Sequence, residues 1–406
     1  MITGFLRENA NWLGAGALLA FFSSFGQTFF ISIYSEQIRT DFGLSHAAWG
    51  SLYAIATTAS AIVMVWAGTL TDLFRVRIIG PLSLILLALA CLSMAWAPVA
   101  WMLFGVIFLL RFAGQGMMSH VAAVAMTRWF VKTRGKALSI SATGFALGQA
   151  ILPLGFVALM GLISWRSHWI ISAALCILAI PALLLLLRTE RTPQAIAKET
   201  QSKGMKGEHW TRRSALKHTL FWLMVPALLG PSAFITAFFF QQVPFAVEKG
   251  WAHIDLVALF PLYTIVSIGV TIGSGFLIDR FGSAAVVPFF QLPIVASFVT
   301  LSLAGSFSGA VIGVVLMAIT AGATATVPAA FWAEFYGTRF IGSIKSMAAA
   351  VMVLGSAIGP GLTGFLLDQG LSLSTQMIGF AAYFLVASVL ATLGVQRNRQ
   401  YLSLLT

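Results

Sequence analysis

Charged residues are scarce in this chain, and acidic residues are the scarcest of them. Of the 406 residues, 9% are charged and 12 are acidic, whereas about 25% of the residues in an ordinary soluble domain are charged. This composition excludes an ordinary soluble protein. The sequence also lacks nucleophile and base pairs, phosphate-binding glycine loops and clusters of metal ligands, so we expect no enzyme, no cofactor and no bound metal.

Cysteine is rarer still, because Cys91 and Cys176 are the only two in the sequence. Two cysteines exclude a disulfide framework of the kind that holds small secreted domains together. Both lie within apolar runs, and we interpret them as small core residues.

Hydrophobic sequence is what the chain has in abundance. Hydrophobic residues make up 59% of it, including 33 Phe, and apolar runs of about 20 residues recur along its length, each long enough to cross a bilayer as a helix. A helix also satisfies its own backbone hydrogen bonds in lipid. The pattern predicts an all-α polytopic membrane protein with twelve transmembrane helices, at residues 11–34, 47–71, 78–97, 100–126, 137–160, 167–187, 219–244, 254–278, 284–305, 309–333, 341–366 and 374–395.

The basic residues predict the orientation of these helices. All 24 Lys and Arg residues except Arg39, Arg111, Arg166 and Lys249 fall in loops or termini on one side, and basic loops are retained in the cytoplasm. Both termini are then cytoplasmic, and we expect a plasma membrane location, the inner membrane in a bacterium. The first apolar run is too long for a signal peptide. The net charge of +12 predicts attraction to the lipid bilayer and no nucleic-acid partner.

A polar, basic segment separates the sixth span from the seventh. It predicts an N-terminal six-helix bundle at 1–187, a cytoplasmic central loop at 188–218 and a C-terminal six-helix bundle at 219–406. The two halves resemble each other at an offset of 207 residues, which predicts internal duplication and two pseudo-symmetric bundles. The matched pairs are Gly43 with Gly250, His46 with His253, Thr57 with Thr264, Ser60 with Ser267, Gly68 with Gly275, Asp72 with Asp279 and Phe74 with Phe281.

The loops after the second and eighth spans carry related motifs. They resemble the loop signature of the major facilitator superfamily, G-x-x-x-D-R-x-G-R, although the first copy lacks the Arg after Asp72 and the following Gly, and the second lacks the final basic residue. The resemblance implies the fold of that superfamily and a secondary transporter. An aspartate in such a loop can accept hydrogen bonds at a neighbouring helix N-terminus and hold one conformation. The residues expected to form this conformational latch are Gly68, Asp72, Arg75, Arg77, Gly275, Asp279 and Arg280.

Pairs of glycines four residues apart occur in two spans. Gly144 and Gly148 lie in the fifth span, and Gly355 and Gly359 lie in the eleventh. Such small-residue faces allow close approach of a neighbouring helix. The fifth-span pair resembles the antiporter motif of drug exporters, but Gln149 stands where that motif has proline. We therefore expect close packing at both sites.

Arg111 lies deep inside a predicted span, with no acidic residue predicted at a similar depth. An arginine at the centre of a membrane helix costs about 2.5–3.5 kcal/mol on insertion scales, so it normally faces a cavity, a partner or a substrate. Arg111 and Gly114 together resemble the pattern that the superfamily has in its fourth span. The resemblance implies that the first, fourth, seventh and tenth spans line the central cavity. His120 points the opposite way and is interpreted as packing or a local hydrogen bond. We expect Arg111 either to bind an anionic substrate or to brace the fourth span against the first. The residues expected to bind substrate are Arg111, Gln27, Gln115, Gln241, Gln242 and Thr324.

These features predict a transporter that moves a small organic anion, such as a monocarboxylate, by alternating access. We expect a monomer that also binds a coupling proton or a counter-substrate. The residues at 25–30 and 42–45 resemble the monocarboxylate porter and oxalate/formate exchanger group. Two alternatives remain open. One is an exporter of amphipathic compounds, favoured by the Phe-rich first and seventh spans, and the other is a sensor that binds a ligand without transporting it.

Overall fold

The computed structural model describes residues 2–68, 70–130, 134–189, 203–337 and 341–402. Every regular element within these ranges is a helix, as the sequence predicts. The chain divides into two compact units, Met1–Glu199 and Thr200–Thr406. Residues 190–202 of the predicted central loop lie outside the described ranges.

The N-terminal unit contains the first six predicted spans. Five are helices long and apolar enough to cross a membrane, and the first is a pair, Leu6–Gly26 and Thr28–Phe42, bent by 47°. The helical segments of this unit are Ile2–Phe22, Ser23–Gly26, Thr28–Ile31, Ser32–Tyr34, Ser35–Phe42, His46–Ala67, Leu70–Leu73, Val76–Trp96, Met102–Leu110, Arg111–Met118, Ser119–Trp129, Arg134–Leu159 and Trp165–Leu186.

The C-terminal unit contains five further helices that are long and apolar enough to cross a membrane. Its helical segments are Met205–Gly207, Arg212–Lys217, Thr219–Gly230, Pro231–Ile235, Thr236–Phe240, Gln242–Lys249, His253–Val257, Phe260–Phe281, Ser283–Val286, Leu292–Leu303, Phe307–Tyr336, Ile341–Asp368 and Leu373–Arg399.

The ninth predicted span, 284–305, is interrupted in the structure. Its main helix is Leu292–Leu303, with 12 residues, or about 18 Å against the roughly 30 Å of a hydrocarbon core. Pro288 and Pro293 explain the interruption, because proline lacks the amide that a continuous helix needs and is tolerated in a first turn. Pro293 occupies such a first-turn position. A single continuous helix over 284–305 was therefore the wrong expectation.

The paired glycines pack as the sequence predicts. A Cβ atom added at Gly144 would lie 1.9 Å from the Ala17 carbonyl oxygen, and one added at Gly359 would lie 2.1 Å from the Ala233 carbonyl oxygen. The fifth span thus touches the backbone of the first, and the eleventh touches the backbone of the seventh. The expectation of close packing is confirmed, and each unit uses it between equivalent pairs of spans.

Two matched glycines also share one conformation. Gly43 ends the helix Ser35–Phe42 with φ +63°, and Gly250 ends the helix Gln242–Lys249 with φ +69°. Only glycine adopts this left-handed conformation at no steric cost, so it ends helices without strain. The 207-residue offset therefore relates equivalent helix ends in the two units.

Residues 203–218 pack onto the ends of the tenth and twelfth spans. The Trp210 ring lies 5.3 Å from the Tyr336 ring and 4.9 Å from the His218 ring, centroid to centroid. Burial lowers the pKa of His218 below its ordinary value, and the charge of Lys206 lowers it further. A neutral imidazole can accept a hydrogen bond, and His218 Nδ1 accepts one from the Leu220 amide at 3.3 Å. This contact caps the seventh-span helix.

Candidate substrate site

The fourth span changes its helical geometry at Arg111. Residues Met102–Leu110 form an apolar α-helix, and Arg111–Met118 form a wider π-helix before the α-helix resumes at Ser119. Such π segments are rare and are frequent at functional sites. Gly114 and Gly116 lie within this segment, so it joins a buried charge to a stretch of backbone that neighbouring spans can approach closely.

Arg111 is almost completely buried, with 1% of its surface exposed. Its Nη1 donates a hydrogen bond to the Gly26 carbonyl oxygen at 3.0 Å, and its Cζ lies 5.5 Å from the centroid of the Tyr53 ring. Its Nε and Nη2 atoms have no hydrogen-bond partner among the described residues. Those residues also provide no carboxylate that pairs with it. One edge of the guanidinium is therefore anchored, and the other is unpaired.

A break in the first span provides the anchor. Ser23–Gly26 is a 3-10 turn, Gln27 is extended with φ −89° and ψ 153°, and the helix resumes at Thr28. In a continuous α-helix the Gly26 carbonyl would accept from the Phe30 amide, but that amide donates to Gln27 at 3.1 Å. The break thus leaves the Gly26 carbonyl available to Arg111.

Two glycines bring the first and fourth spans together at this point. A Cβ atom added at Gly26 would lie 2.1 Å from the Leu110 carbonyl oxygen, and one added at Gly114 would lie 2.6 Å from the Gly26 Cα. Real Cβ atoms do not approach other atoms so closely, so the two backbones are in direct contact. Only this proximity lets the Arg111 side chain reach a main-chain oxygen of the first span.

The second span completes the surroundings of Arg111. Tyr53 is fully buried, and its hydroxyl donates to Thr28 Oγ1 at 2.8 Å. Thr57, one turn later, is also buried. An aromatic face beside a guanidinium is an attractive partner. It holds Arg111 in place without neutralising its charge.

The two glutamines expected near Arg111 have different positions. Gln27 lies at the break itself and is 9% exposed. Gln115 is half-buried in the π-helix, with its backbone amide against Gly26. Neither side-chain amide bonds Arg111 among the described residues, because the oxygen that Arg111 uses is the main-chain carbonyl of Gly26. Ser23, Ser24 and Gly26 are weak helix formers, but they do not identify the Gly26 carbonyl as the acceptor.

The three candidate residues of the C-terminal unit bond to their own unit. Gln241 Nε2 donates to Thr363 Oγ1 of the eleventh span at 3.1 Å, and Gln242 Oε1 lies 3.3 Å from His253 Nε2 at the start of the eighth span. Thr324 Oγ1 donates to the Thr320 carbonyl at 2.8 Å. The two glutamine contacts join helices of this unit, whereas Thr324 makes the local hydrogen bond that is common for threonine in a helix.

The loop after the second span is held by side chains that hydrogen-bond to the Gly68 carbonyl. Thr71 Oγ1 donates to the Gly68 carbonyl at 2.7 Å, and His120 Nε2 lies 3.2 Å from the same oxygen. His120 thus makes the expected local hydrogen bond. Arg75 occupies the N-cap position of the third-span helix without a side-chain capping bond, and Arg77 Nη1 lies 3.5 Å from the Arg188 carbonyl. The side chain of Asp72 lies outside the described residues, so its role in a latch stays a prediction.

The loop after the eighth span has a different anchor. Gly275 has open space around it, and the Arg280 guanidinium lies over the ring of Phe281 at 5.3 Å. The carboxylate of Glu334, at the end of the tenth span, accepts from the Ser283 amide at 2.8 Å. An acid therefore lies at a helix N-terminus here, as the motif suggests, but it comes from the tenth span. The Asp279 side chain lies outside the described residues.

Comparisons with known proteins agree with this architecture. The family model described as Major Facilitator Superfamily matches residues 16–360. An uncharacterised 38 kDa protein of Thermoproteus tenax, in the 23S RNA operon, is 22% identical over 392 residues, covering 95% of this chain and 96% of that protein.

Two solved structures resemble the chain over nearly its whole length. The inward-facing, unoccupied structure of a bacterial homolog of the human lysosomal transporter Spinster has a TM-score of 0.69 at 18% identity, covering 97% of this chain and 98% of that one. A mutant of the nucleoside transporter NupG has a TM-score of 0.67 at 16% identity, covering 95% and 99%. At these identities the likeness shows the fold alone.

Proposed function

The chain belongs to the Major Facilitator Superfamily and is a multi-pass membrane transporter, and from this premise we propose that it moves a small organic anion, with monocarboxylates as the first class to test. The proposal includes alternating access, coupling to a proton or a counter-substrate, and a monomeric working unit. It adds a chemical class of substrate to the family assignment.

The single observation that supports an anion is the unpaired edge of Arg111. Its Nε and Nη2 groups point two N–H bonds in one direction, which is the spacing that the two oxygens of a carboxylate match. Both atoms are buried without a partner among the described residues, while Nη1 is anchored. A buried guanidinium with two unpaired donors is costly. A bound carboxylate would supply both hydrogen bonds and the missing negative charge.

The substrates named for the similar structures do not decide the class. One of them is a nucleoside transporter and another a homolog of a lysosomal transporter. A nucleoside is neutral and would leave the Arg111 charge uncompensated, so it is a suitable uncharged comparison ligand in the binding test. An amphipathic cation would be repelled by the same charge.

A binding screen of the purified protein tests the proposal directly. Thermal unfolding in the presence of lactate, formate, oxalate, a nucleoside, a sugar and a lipophilic cation should show stabilisation by the carboxylates. Arg111→Gln should weaken carboxylate binding at least about tenfold, because it removes a charged bidentate donor. Arg111→Lys should also bind carboxylates poorly, because an ammonium keeps the charge and lacks the two parallel N–H donors of a guanidinium.

Arg166→Gln is the matched control, since it removes an arginine of the same unit that pairs with Asp41 at the surface. It should leave carboxylate binding unchanged. Near-normal carboxylate affinity in a folded Arg111→Gln protein would overturn the anion proposal and favour the exporter of amphipathic compounds. Carboxylate binding without counterflow in reconstituted vesicles would favour the sensor.

The proposed orientation places both termini in the cytoplasm. A cysteine introduced at Ser202 should react with an impermeant thiol reagent only from the cytoplasmic side, and one introduced at Ser372 only from the outside. Ser202 lies outside the described residues, and Ser372 caps the twelfth-span helix. Labelling with the opposite sidedness would overturn the orientation.

A further inference from the structure

The interrupted ninth span leaves a groove on the surface of the C-terminal unit. This groove has a volume of about 560 Å³ and lies between residues 284–292 and one face of the twelfth-span helix. Its size falls within the range of about 300–1,000 Å³ typical of small-molecule sites. Phe289, at the interruption, is 65% exposed and forms one wall. The groove exists because the chain at 287–291 turns instead of continuing as a helix.

The groove has an apolar length and a polar end. Along most of it the walls are Pro288, Leu292, Leu385 and Val389, which suit a hydrocarbon chain. At the end of the twelfth-span helix it reaches Gln396 and Arg399. A ligand that fits must therefore combine an acyl chain with a negatively charged group beside it.

A buried polar group in the wall also lacks a partner. Ser388 lines the groove, is 6% exposed, and its Oγ has no hydrogen-bond partner among the described residues. A serine in a helix ordinarily donates to the carbonyl four residues earlier. The hydroxyl of Ser388 therefore remains available inside the groove.

From these three observations we infer that the groove between residues 284–292 and the twelfth-span helix is a specific site for an anionic phospholipid. Its phosphate lies at Arg399 and Gln396, and one acyl chain follows Leu385, Val389 and Leu292. The short ninth helix makes such a lipid useful, because a hydrophobic segment shorter than the bilayer otherwise thins the membrane around it. The site is independent of the substrate proposed above.

Purified protein in mixed micelles provides the test. Phosphatidylglycerol should raise the Tm of the wild-type protein more than phosphatidylcholine does, and native mass spectrometry should detect it as a retained lipid. Arg399→Gln should weaken the binding of phosphatidylglycerol about fivefold, since one basic residue near an anionic lipid contributes roughly that much. Val389→Trp should fill the groove and remove the retained lipid.

Two neighbouring substitutions are matched controls. Arg397→Gln removes a charge from the same last turn, and Val386→Trp adds the same bulk to an exposed position of the same helix that does not line the groove. Both should bind phosphatidylglycerol as the wild type does. Glycerol phosphate, which has the headgroup chemistry without the chain, should not raise the Tm.

Three results would overturn the inference. They are equal stabilisation by phosphatidylcholine, an equal loss of binding in Arg397→Gln and Arg399→Gln, and lipid retention unchanged by Val389→Trp in a folded protein. The second would mean that the end of the helix attracts anionic lipid only through its general charge.

Discussion

The two halves of the molecule have related helices and differ in the partners of their charged residues. At the 207-residue offset Asp41 corresponds to Glu248, and each lies near the end of its own helix, against the start of the last helix of its unit. Asp41 pairs there with the side chains of Arg166 and Trp165. Glu248 instead accepts from the backbone amides of Leu373 and Ser374, at 2.7 and 2.9 Å. The duplicated frame keeps an acid in one place while its partners change.

The same offset relates the helix braces on one side of each unit. Ser35 accepts from Trp49 Nε1 at 3.1 Å and joins the first span to the second, while Gln242 meets His253 and joins the seventh to the eighth. Tyr34 meets His168 Nδ1 at 3.2 Å, and Gln241 meets Thr363. Gln241 and Gln242 therefore occupy positions that brace helices in both halves.

The difference between the halves is greatest at Arg111, whose counterpart is Ala318. Ala318 is fully buried in the tenth span. The counterpart of the Gly26 carbonyl is that of Ala233, which already accepts from the Thr236 amide. Among the described residues, Arg111 is the fully buried basic side chain that a main-chain oxygen anchors, and this favours the N-terminal unit for anion recognition.

The largest effect is expected when an arginine is introduced into the C-terminal half at the position that corresponds to Arg111. Ala318→Arg should prevent stable insertion, because it adds the cost of about 2.5–3.5 kcal/mol for a membrane arginine to the overpacking of a filled core. Yield of monodisperse protein on a sizing column would measure the effect. Ala318→Leu adds bulk without charge and should give more folded protein. Equal yields from the two variants would mean that charge is not what distinguishes the halves.

A smaller effect should follow when the anchor of Arg111 is moved. Gly26→Ala would force the first and fourth spans apart, since its Cβ would meet backbone atoms that cannot rotate away. We expect a loss of more than about 2 kcal/mol of stability from overpacking and the weakened hydrogen bond. Gly105→Ala, in the same fourth span but with open space around it, should be neutral or slightly stabilising. Thermal unfolding of both variants measures the difference, and equal losses would contradict the proposed contact.

Local sequence predicts part of the fold and part of the candidate site. The isolated charge of Arg111, the paired glycines and the apolar runs are properties of local sequence, and the structure bears out the helices and the close packing. The break at Gln27 and the acceptor at Gly26 depend on contact between two spans, which one sequence does not encode locally. The hydropathy of residues 284–305 predicted a single span, although Pro288 and Pro293 interrupt the helix there. Likewise, the polarity of Gln241 and Thr324 within apolar spans made them candidate substrate ligands, but it did not identify their hydrogen-bond partners in the fold.

Substitutions of Asp41 and Glu248 should differ by a smaller amount. Glu248→Gln removes a charged acceptor from two backbone amides and should cost about 1–2 kcal/mol. Asp41→Asn breaks a surface pair with Arg166, and such pairs contribute about 0–1 kcal/mol and less at high salt. Unfolding at low and at high salt measures both. A salt-sensitive loss in Glu248→Gln alone would reverse the comparison.

The smallest change in stability, within about 0.5 kcal/mol, is expected from the loop aspartates, yet one of them should change transport. If Asp72 holds a helix terminus in one state, Asp72→Asn should lower the exchange rate about tenfold, with little change in ligand affinity, because it shifts a conformational equilibrium away from the binding site. Asp279→Asn should do less, since Glu334 already holds the start of the Ser283–Val286 helix. Initial rates of exchange in vesicles, beside ligand affinity from thermal shifts, separate the two effects. Unaltered turnover in Asp72→Asn would reduce its loop to a determinant of topology, and equal slowing in both variants would show that the Glu334 contact does not replace the aspartate.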